Sequence, residues 1–267
     1  MSDDPLAADV RGEGEPALLL LHGFTGSGAA WGDYLLSSLS PHRKVLAVDL
    51  PGHGREGTAP VSGFPEALDR LEATLTAHSV TRADWVGYSM GGRIALAAAV
   101  ERPNRVRRLV LESASPGLRA PDEQRARRAR DEELATWIEA EGMEAFVEYW
   151  TSQPLFRTWD RLTPRQVEEE RSRRMKQTPQ GMAAALRGLG TGVQPSYWDR
   201  LPELENPTLL LTGALDTKFM RIGEEMAASI RESVHRSVPE AGHAVHLEAP
   251  EGWLEEVLGF LGHGSER

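Results

Sequence analysis

A mostly parallel β-sheet with flanking helices, interrupted by a helical insertion, is the α/β fold class the sequence predicts. Three observations carry it. Short apolar runs alternate with longer helical stretches. The runs are continuously hydrophobic rather than alternating, as in strands covered on both faces. Late in the chain the alternation stops for about 75 residues, far more than one crossover helix requires.

Taken in order, Ala17 to Leu21 (ALLLL) is the first strand, stopped by His22-Gly23. Lys44 to Asp49 follows and ends near Pro51-Gly52. Then come Ala83 to Tyr88, Arg107 to Glu112, Thr208 to Thr212 and Val234 to Val238. Phe64 to His78 and Gly91 to Glu101 read as crossover helices, the second ended by Arg102-Pro103 because proline cannot continue it. Pro250 to Leu261 reads as the last helix. Between Leu118 and Gln194 no strand-like run occurs; Asp122 to Glu141, Pro164 to Lys176 and Gly181 to Leu189 are helix-favouring instead. The expected division is a core of residues 1–118 and 196–267 and an inserted lid of 119–195. Such a lid lies above the carboxyl ends of the strands, where open sheets of this kind bind ligands.

Composition narrows the function. The chain of 267 residues has no Cys, which excludes a disulfide scaffold, a thiolate metal site and a catalytic thiol. With 30 Lys+Arg against 40 Asp+Glu the net charge is −10, unfavourable for nucleic acid. No apolar run approaches the roughly 20 residues needed to span a bilayer, so no membrane insertion is expected. The start, Met1-Ser2-Asp3-Asp4, is acidic and unlike a signal peptide, and a cytoplasmic location is expected. No metal-ligand spacing, phosphate loop or dinucleotide fingerprint occurs, so neither metal nor cofactor is implied.

Gly87-Tyr88-Ser89-Met90-Gly91 fits G-x-S-x-G between a strand and a helix, the setting of a nucleophile elbow. The flanking glycines let strand and helix approach, and the serine stands at the helix N-terminus. A serine hydroxyl needs an imidazole to become reactive. Asp216 and His243 follow in the order this architecture uses, each just past a strand. Asp216 can instead cap the helix at Phe219, and His246 is the other candidate for the base. His22 and His53, beside glycine turns, read as structural. The oxyanion hole is expected from the backbone N–H groups of Met90, just after the serine, and Phe24, in the loop after the first strand.

Together these residues resemble the α/β-hydrolase superfamily over essentially the whole chain. His22 to Ser27, Asp49 to Gly54, Gly87 to Arg93, Glu112 to Leu118, Gly188 to Pro195 and Asp216 to Phe219 resemble the menaquinone-pathway lyases, the 2-succinyl-6-hydroxy-2,4-cyclohexadiene-1-carboxylate (SHCHC) synthases. The more specific matches are Arg93, Ser115-Pro116-Gly117-Leu118 and the GLGTG-x-QP stretch. The resemblance implies elimination of pyruvate after a proton is removed alpha to the succinyl carbonyl, with Ser89 as proximal base, His243 drawing its proton and Asp216 fixing the tautomer.

The substrate so implied is a small polycarboxylate, and arginine presents a planar fork matched to carboxylate. The resemblance carries over Arg93, Arg128 and Arg174, with Tyr88 and Trp150 as aromatic contacts. Near Arg174 the register leaves Arg171 and Arg173 open, and Lys218 is a further candidate. A solvated helix face paired with glutamates is the other reading of the lid arginines, and lid core that of Trp150. The same triad also suits an esterase or carbon–carbon bond hydrolase, and the same scaffold a non-catalytic ligand receptor.

Overall fold

β1 (Ala8–Arg11), β2 (Ala17–Leu21), β3 (Val45–Val48), β4 (Ala83–Tyr88), β5 (Val106–Glu112), β6 (Thr208–Gly213) and β7 (Ser233–Val238) form one sheet in the order β1-β3-β2-β4-β5-β6-β7. This is a computed structural model, and it describes residues 4–59 and 61–262. The acidic start Met1-Ser2-Asp3, on which the expected location rests, lies outside the described residues. Every pairing is parallel except β1 with β3. The sequence reading did not include β1: it is an edge strand of four residues, half in water, with no apolar run to mark it.

Continuous hydrophobicity has the expected cause. Leu18 and Leu20 of β2, with Val45, Val86, Val110 and Leu209, pack on α1 (Gly32–Leu39) and α9 (Pro250–Leu261). Leu19 and Leu21, with Leu46, Trp85, Leu109 and Leu210, pack on the other face against α2 (Phe64–Ala77), α3 (Met90–Glu101) and α7 (Thr217–Ser229). Each such leucine contributes roughly 2 kcal/mol on leaving water. The period-two alternation survives as alternation between two apolar faces.

The chain between β5 and β6 is helical: α4 (Pro121–Thr151), α5 (Pro164–Met175) and α6 (Pro179–Leu189), each opening on a proline that needs no intrahelical partner for its nitrogen. Thr163 and Gln166 form a capping box on α5, and the Thr178 hydroxyl accepts the Gly181 N–H on α6. The helix expected to end at Glu141 bends there, because Gly142 adopts φ 79°, and then runs on to Thr151. Ile138, Phe146, Val147, Met182 and Leu186 make an apolar cluster of the insertion's own, touching the body through Phe24. Where the insertion leaves and rejoins the body the two connections are stitched together. The Tyr197 N–H donates to Pro116 O at 2.7 Å and the Trp198 indole to Gly117 O at 2.9 Å. Among the described residues no helix is long and apolar enough to cross a membrane.

Candidate active site

Ser89 lies between β4 and α3 with φ 50° and ψ −105°, a left-handed conformation that costs a serine roughly 1–3 kcal/mol. Two glycines make the turn possible. A Cβ on Gly91 would stand 2.2 Å from the Leu21 carbonyl oxygen, and one on Gly87 2.5 Å from that of Gly91. The Ser89 N–H donates to Glu112 O at 2.8 Å, which ties the elbow to the neighbouring strand.

The His243 imidazole stands between Ser89 and Asp216. Its Nδ1 lies 2.7 Å from Asp216 Oδ2 and its Nε2 3.0 Å from Ser89 Oγ. The carboxylate only accepts, so Nδ1 donates to it and Nε2 is left to accept the serine proton. Asp216 also caps α7, its Oδ1 accepting the Phe219 N–H at 3.2 Å. The helix cap and the partner of the His243 imidazole are therefore the same residue. Phe219 and Tyr88 flank the imidazole, with ring centroids 4.6 and 5.5 Å away. His246, the other candidate for the base, faces away: its Nδ1 donates to Glu112 Oε1 at 2.8 Å.

His22 and His53 pin the loop that carries Phe24. His22 donates from Nδ1 to Gly23 O at 2.7 Å and accepts the Leu50 N–H at Nε2, 3.0 Å. His53 donates to Pro51 O at 3.1 Å and accepts the Thr25 N–H at 3.2 Å. Each needs one bare and one protonated nitrogen, hence the neutral ring. Burial pushes His22 down to about 4 and His53 to about 3. Among the described residues no acceptor partners the Phe24 N–H.

A cavity of about 1350 Å³ opens above these groups, lined by Phe24, Ser89, Met90, Arg93, Trp150 and His243. Arg93 Nη1 donates to Leu189 O at 2.8 Å and faces Gln194 Oε1 at 3.4 Å. No carboxylate pairs with it among the described residues. Burial, then Arg127 nearby, pushes Arg93 down to about 10 against the opposing pull of Asp131, so it remains a cation near neutrality. Lys218 reaches the cavity too.

Three of the expected contacts, Arg128, Arg174 and Tyr88, do not line the cavity. Arg128 is exposed and does not line the cavity; Arg127 and Arg130 do. On α4 the cavity face runs through Glu123, Ala126, Arg127, Arg130, Leu134 and Trp137, and Arg128 is rotated about 100° off it. Arg127 is paired with Asp131 at 2.7 Å. Arg174 is buried but engaged within the insertion, its Nη1 2.8 Å from Glu170 Oε2 and its guanidinium 4.4 Å from the Trp159 ring. Burial alone would raise the Glu170 carboxyl; Arg174 and Arg173 more than offset this and hold it below its ordinary value. Arg171 sits half-exposed beside Glu144. Tyr88 packs beneath the triad between His243 and His246, and burial, then Glu112, raises its hydroxyl well above the ordinary value. Trp150 is both cavity wall and core, its ring 5.3 Å from Phe24 and 5.8 Å from Phe146. Sequence reading passed over Glu248, whose carboxylate holds the loop of His243; only its place five residues after the histidine hinted at it.

The sequence pattern of the alpha/beta hydrolase fold family matches residues 16–250, and the chain belongs to that family. Within it, the chain is 39% identical over 258 residues to a Bacillus subtilis (strain 168) protein provisionally named 2-succinyl-6-hydroxy-2,4-cyclohexadiene-1-carboxylate synthase, covering 95% of this chain and 93% of that one. It is 32% identical over 248 residues to the synthase of the same name from Salmonella typhimurium (strain LT2), covering 93% and 94%. MenH from S. aureus superposes with a TM-score of 0.90 at 32% identity, covering 95% of this chain and 97% of that one. A malate-bound thermophilic esterase from Thermogutta terrifontis superposes at 0.85 with 28% identity, covering 96% and 92%.

Proposed function

We propose that the protein is a carbon–oxygen lyase of menaquinone biosynthesis, an SHCHC synthase. It eliminates pyruvate from 2-succinyl-5-enolpyruvyl-6-hydroxy-3-cyclohexene-1-carboxylate. The relatives that carry this name match nearly the whole chain. The single observation in the structure that supports it is Arg93, a half-buried cation with no carboxylate partner among the described residues, one helical turn past the nucleophile and facing the cavity. A neutral ester would want an apolar wall there; a substrate with three carboxylates wants a guanidinium.

In this mechanism the His243 Nε2 draws the Ser89 proton and the serine oxygen removes the proton alpha to the succinyl carbonyl. Charge moves to the carbonyl oxygen, which the N–H groups of Phe24 and Met90 receive as an oxyanion hole. The electron pair then expels the enolpyruvyl oxygen as the enolate of pyruvate, which takes back at carbon the proton held by the Ser89–His243 pair, and pyruvate leaves without an acyl-enzyme. Asp216 keeps the imidazole in the productive tautomer throughout. Arg93 holds one substrate carboxylate. Arg130 and Lys218 are the cavity cations we assign to the others, in place of Arg128 and Arg174. Residues 119–195 act as a lid over a core of 1–118 and 196–267; the separate apolar cluster and the stitched connections support that division. A small polycarboxylate, not nucleic acid, is the inferred partner, and the cytoplasm the inferred location.

The test supplies the succinyl-enolpyruvyl precursor and follows pyruvate. Fast release that disappears in Ser89→Ala is the expected outcome. Rapid turnover of an activated ester with no pyruvate would overturn it in favour of the hydrolase alternative.

A further inference from the structure

The stretch carrying His243 lies between β7 and α9, outside any ladder, so its backbone N–H groups must find other acceptors. Glu248, the last residue of α8 (Val245–Glu248), supplies them. Its Oε2 accepts the Gly242 N–H at 2.7 Å and its Oε1 the Ala244 N–H at 3.0 Å. One carboxylate thus grips the residues on both sides of the base. Two residues on, the His246 N–H and Nδ1 reach Glu112 Oε1 at 3.2 and 2.8 Å, and Glu112 Oε2 accepts the Trp253 indole at 2.8 Å. Alternate N–H groups at 242, 244 and 246 therefore all end on carboxylates. Neither carboxylate lines the cavity or touches Ser89 or Asp216.

The loop has no slack in which to shift. A Cβ on Gly242 would stand 2.2 Å from Thr158 Oγ1 and 2.9 Å from Glu248 Oε2, and one on Gly213 would stand 2.1 Å from Gly242 O. A glutamate is the side chain that fits. Both oxygens must accept at once, whereas glutamine has one acceptor and would turn its NH2 against an N–H. Aspartate keeps both oxygens but is one methylene short.

We propose that Glu248 is a positioning residue for His243: it sets the height and direction of the imidazole between Ser89 and Asp216 by holding the backbone on either side, with Glu112 anchoring the far end of the loop. The inference rests on the triad assigned above, though not on which reaction the triad performs.

The experiment compares wild type, Glu248→Gln and Glu248→Asp, using the purified full chain. Three quantities are followed: kcat and KM for pyruvate release, the rate at which a fluorophosphonate labels Ser89, and the thermal midpoint. In the labelling the serine oxygen bonds to phosphorus, fluoride leaves, and His243 takes the proton, so the rate reads the imidazole directly. Glu248→Gln is expected to fold, to lose on the order of 10²-fold in kcat with KM unchanged, and to label more slowly by a similar factor. Isosteric packing survives in this variant, so a merely structural glutamate would leave both rates alone. In a His243→Ala background the same substitution should cost nothing further, since the two act as one unit. Wild-type kcat and labelling in folded Glu248→Gln, or an equal loss in the His243→Ala background, would overturn the proposal. Should Glu248→Gln fail to fold, Glu248→Asp carries the test, and wild-type labelling in it overturns the proposal equally. A wild-type chain that labels rapidly yet releases no pyruvate refutes the proposed function and leaves the labelling comparison to decide this one.

Discussion

The sheet-bearing body and the helical insertion handle charge in opposite ways. Residues 119–195 hold 13 Lys+Arg and 13 Asp+Glu, leaving 17 and 27 to the body, which carries the whole −10. Yet the body contributes to the cavity the guanidinium of Arg93, which has no carboxylate partner among the described residues, while several arginines of the neutral insertion are matched to carboxylates of their own. Arg174 and Arg173 lie on Glu170, Arg127 on Asp131, and Arg187 between Glu132 and Glu139. Counting charges by region therefore misplaces the proposed ligand contact. What matters is whether a cation has a carboxylate partner, and the helix next to the nucleophile holds Arg93 on neutral acceptors instead, Leu189 O and Gln194 Oε1. The two regions also differ in how they meet the cavity. Ser89, Asp216 and His243 stand at or just beyond strand ends with short fixed bonds, whereas the insertion faces the cavity with helix surface.

The division can be broken most decisively at the body's own residues. Ser89→Ala and His243→Ala should each lower kcat for pyruvate release by roughly 10⁴-fold with the fold intact, by analogy with triads elsewhere; residual activity within tenfold of wild type would end the body's claim to the chemistry. Next in size is Arg174→Ala. Removing one member of a buried pair costs about 3 kcal/mol, so the denaturation midpoint should fall while KM of the remaining folded enzyme holds. A raised KM at unchanged stability would return Arg174 to the substrate site. Arg93→Ala should lose roughly 10- to 100-fold in kcat/KM on the carboxylated substrate and spare small neutral esters; equal losses on both would make it structural.

Acid tests the body differently. His22 and His53 titrate near their ordinary value of 6.5 when unfolded, but at about 4 and about 3 when folded. The unfolded chain thus binds more protons between those values. Stability, complete above the unfolded value, should decline as pH falls through 6.5 and onward toward 4. Thermal midpoints from pH 7.5 to 4 would measure it, and His53→Gln should flatten the slope. The smallest effect is expected in the insertion: Arg130→Ala should raise KM by a few-fold, on the scale of a partly screened contact worth about 1 kcal/mol, and Arg128→Ala should leave it alone. The reverse ranking would move the cavity face of α4 by a residue.

Much of this was legible beforehand. Five of the seven strands, β2 to β6, announce themselves as apolar runs, because a strand covered on both sides must be hydrophobic at nearly every position. Ser89 is legible because its turn admits only small neighbours, so glycine spacing records the geometry. Asp216 and His243 are legible from order and from their place past a strand. β1 was not, being short and half in water. Nor was the cavity face of α4: four arginines in Arg125 to Arg130 look alike in sequence, and a step of one residue turns a side chain by about 100°.

By itself, then, the sequence determined the family and fold class and pointed to the elbow, the proposed triad and the helical stretch between β5 and β6, because each rests on local rules of hydrophobic period, backbone sterics and chain order. Only the tertiary structure decided which arginines lack a carboxylate partner among the described residues, that Asp216 bonds the start of α7 and His243 at once, and that Glu248 and Glu112 hold the loop of His243. Those facts depend on which carboxylate comes within about 3 Å of which donor, a distance set by packing between segments as far apart as residues 112 and 246.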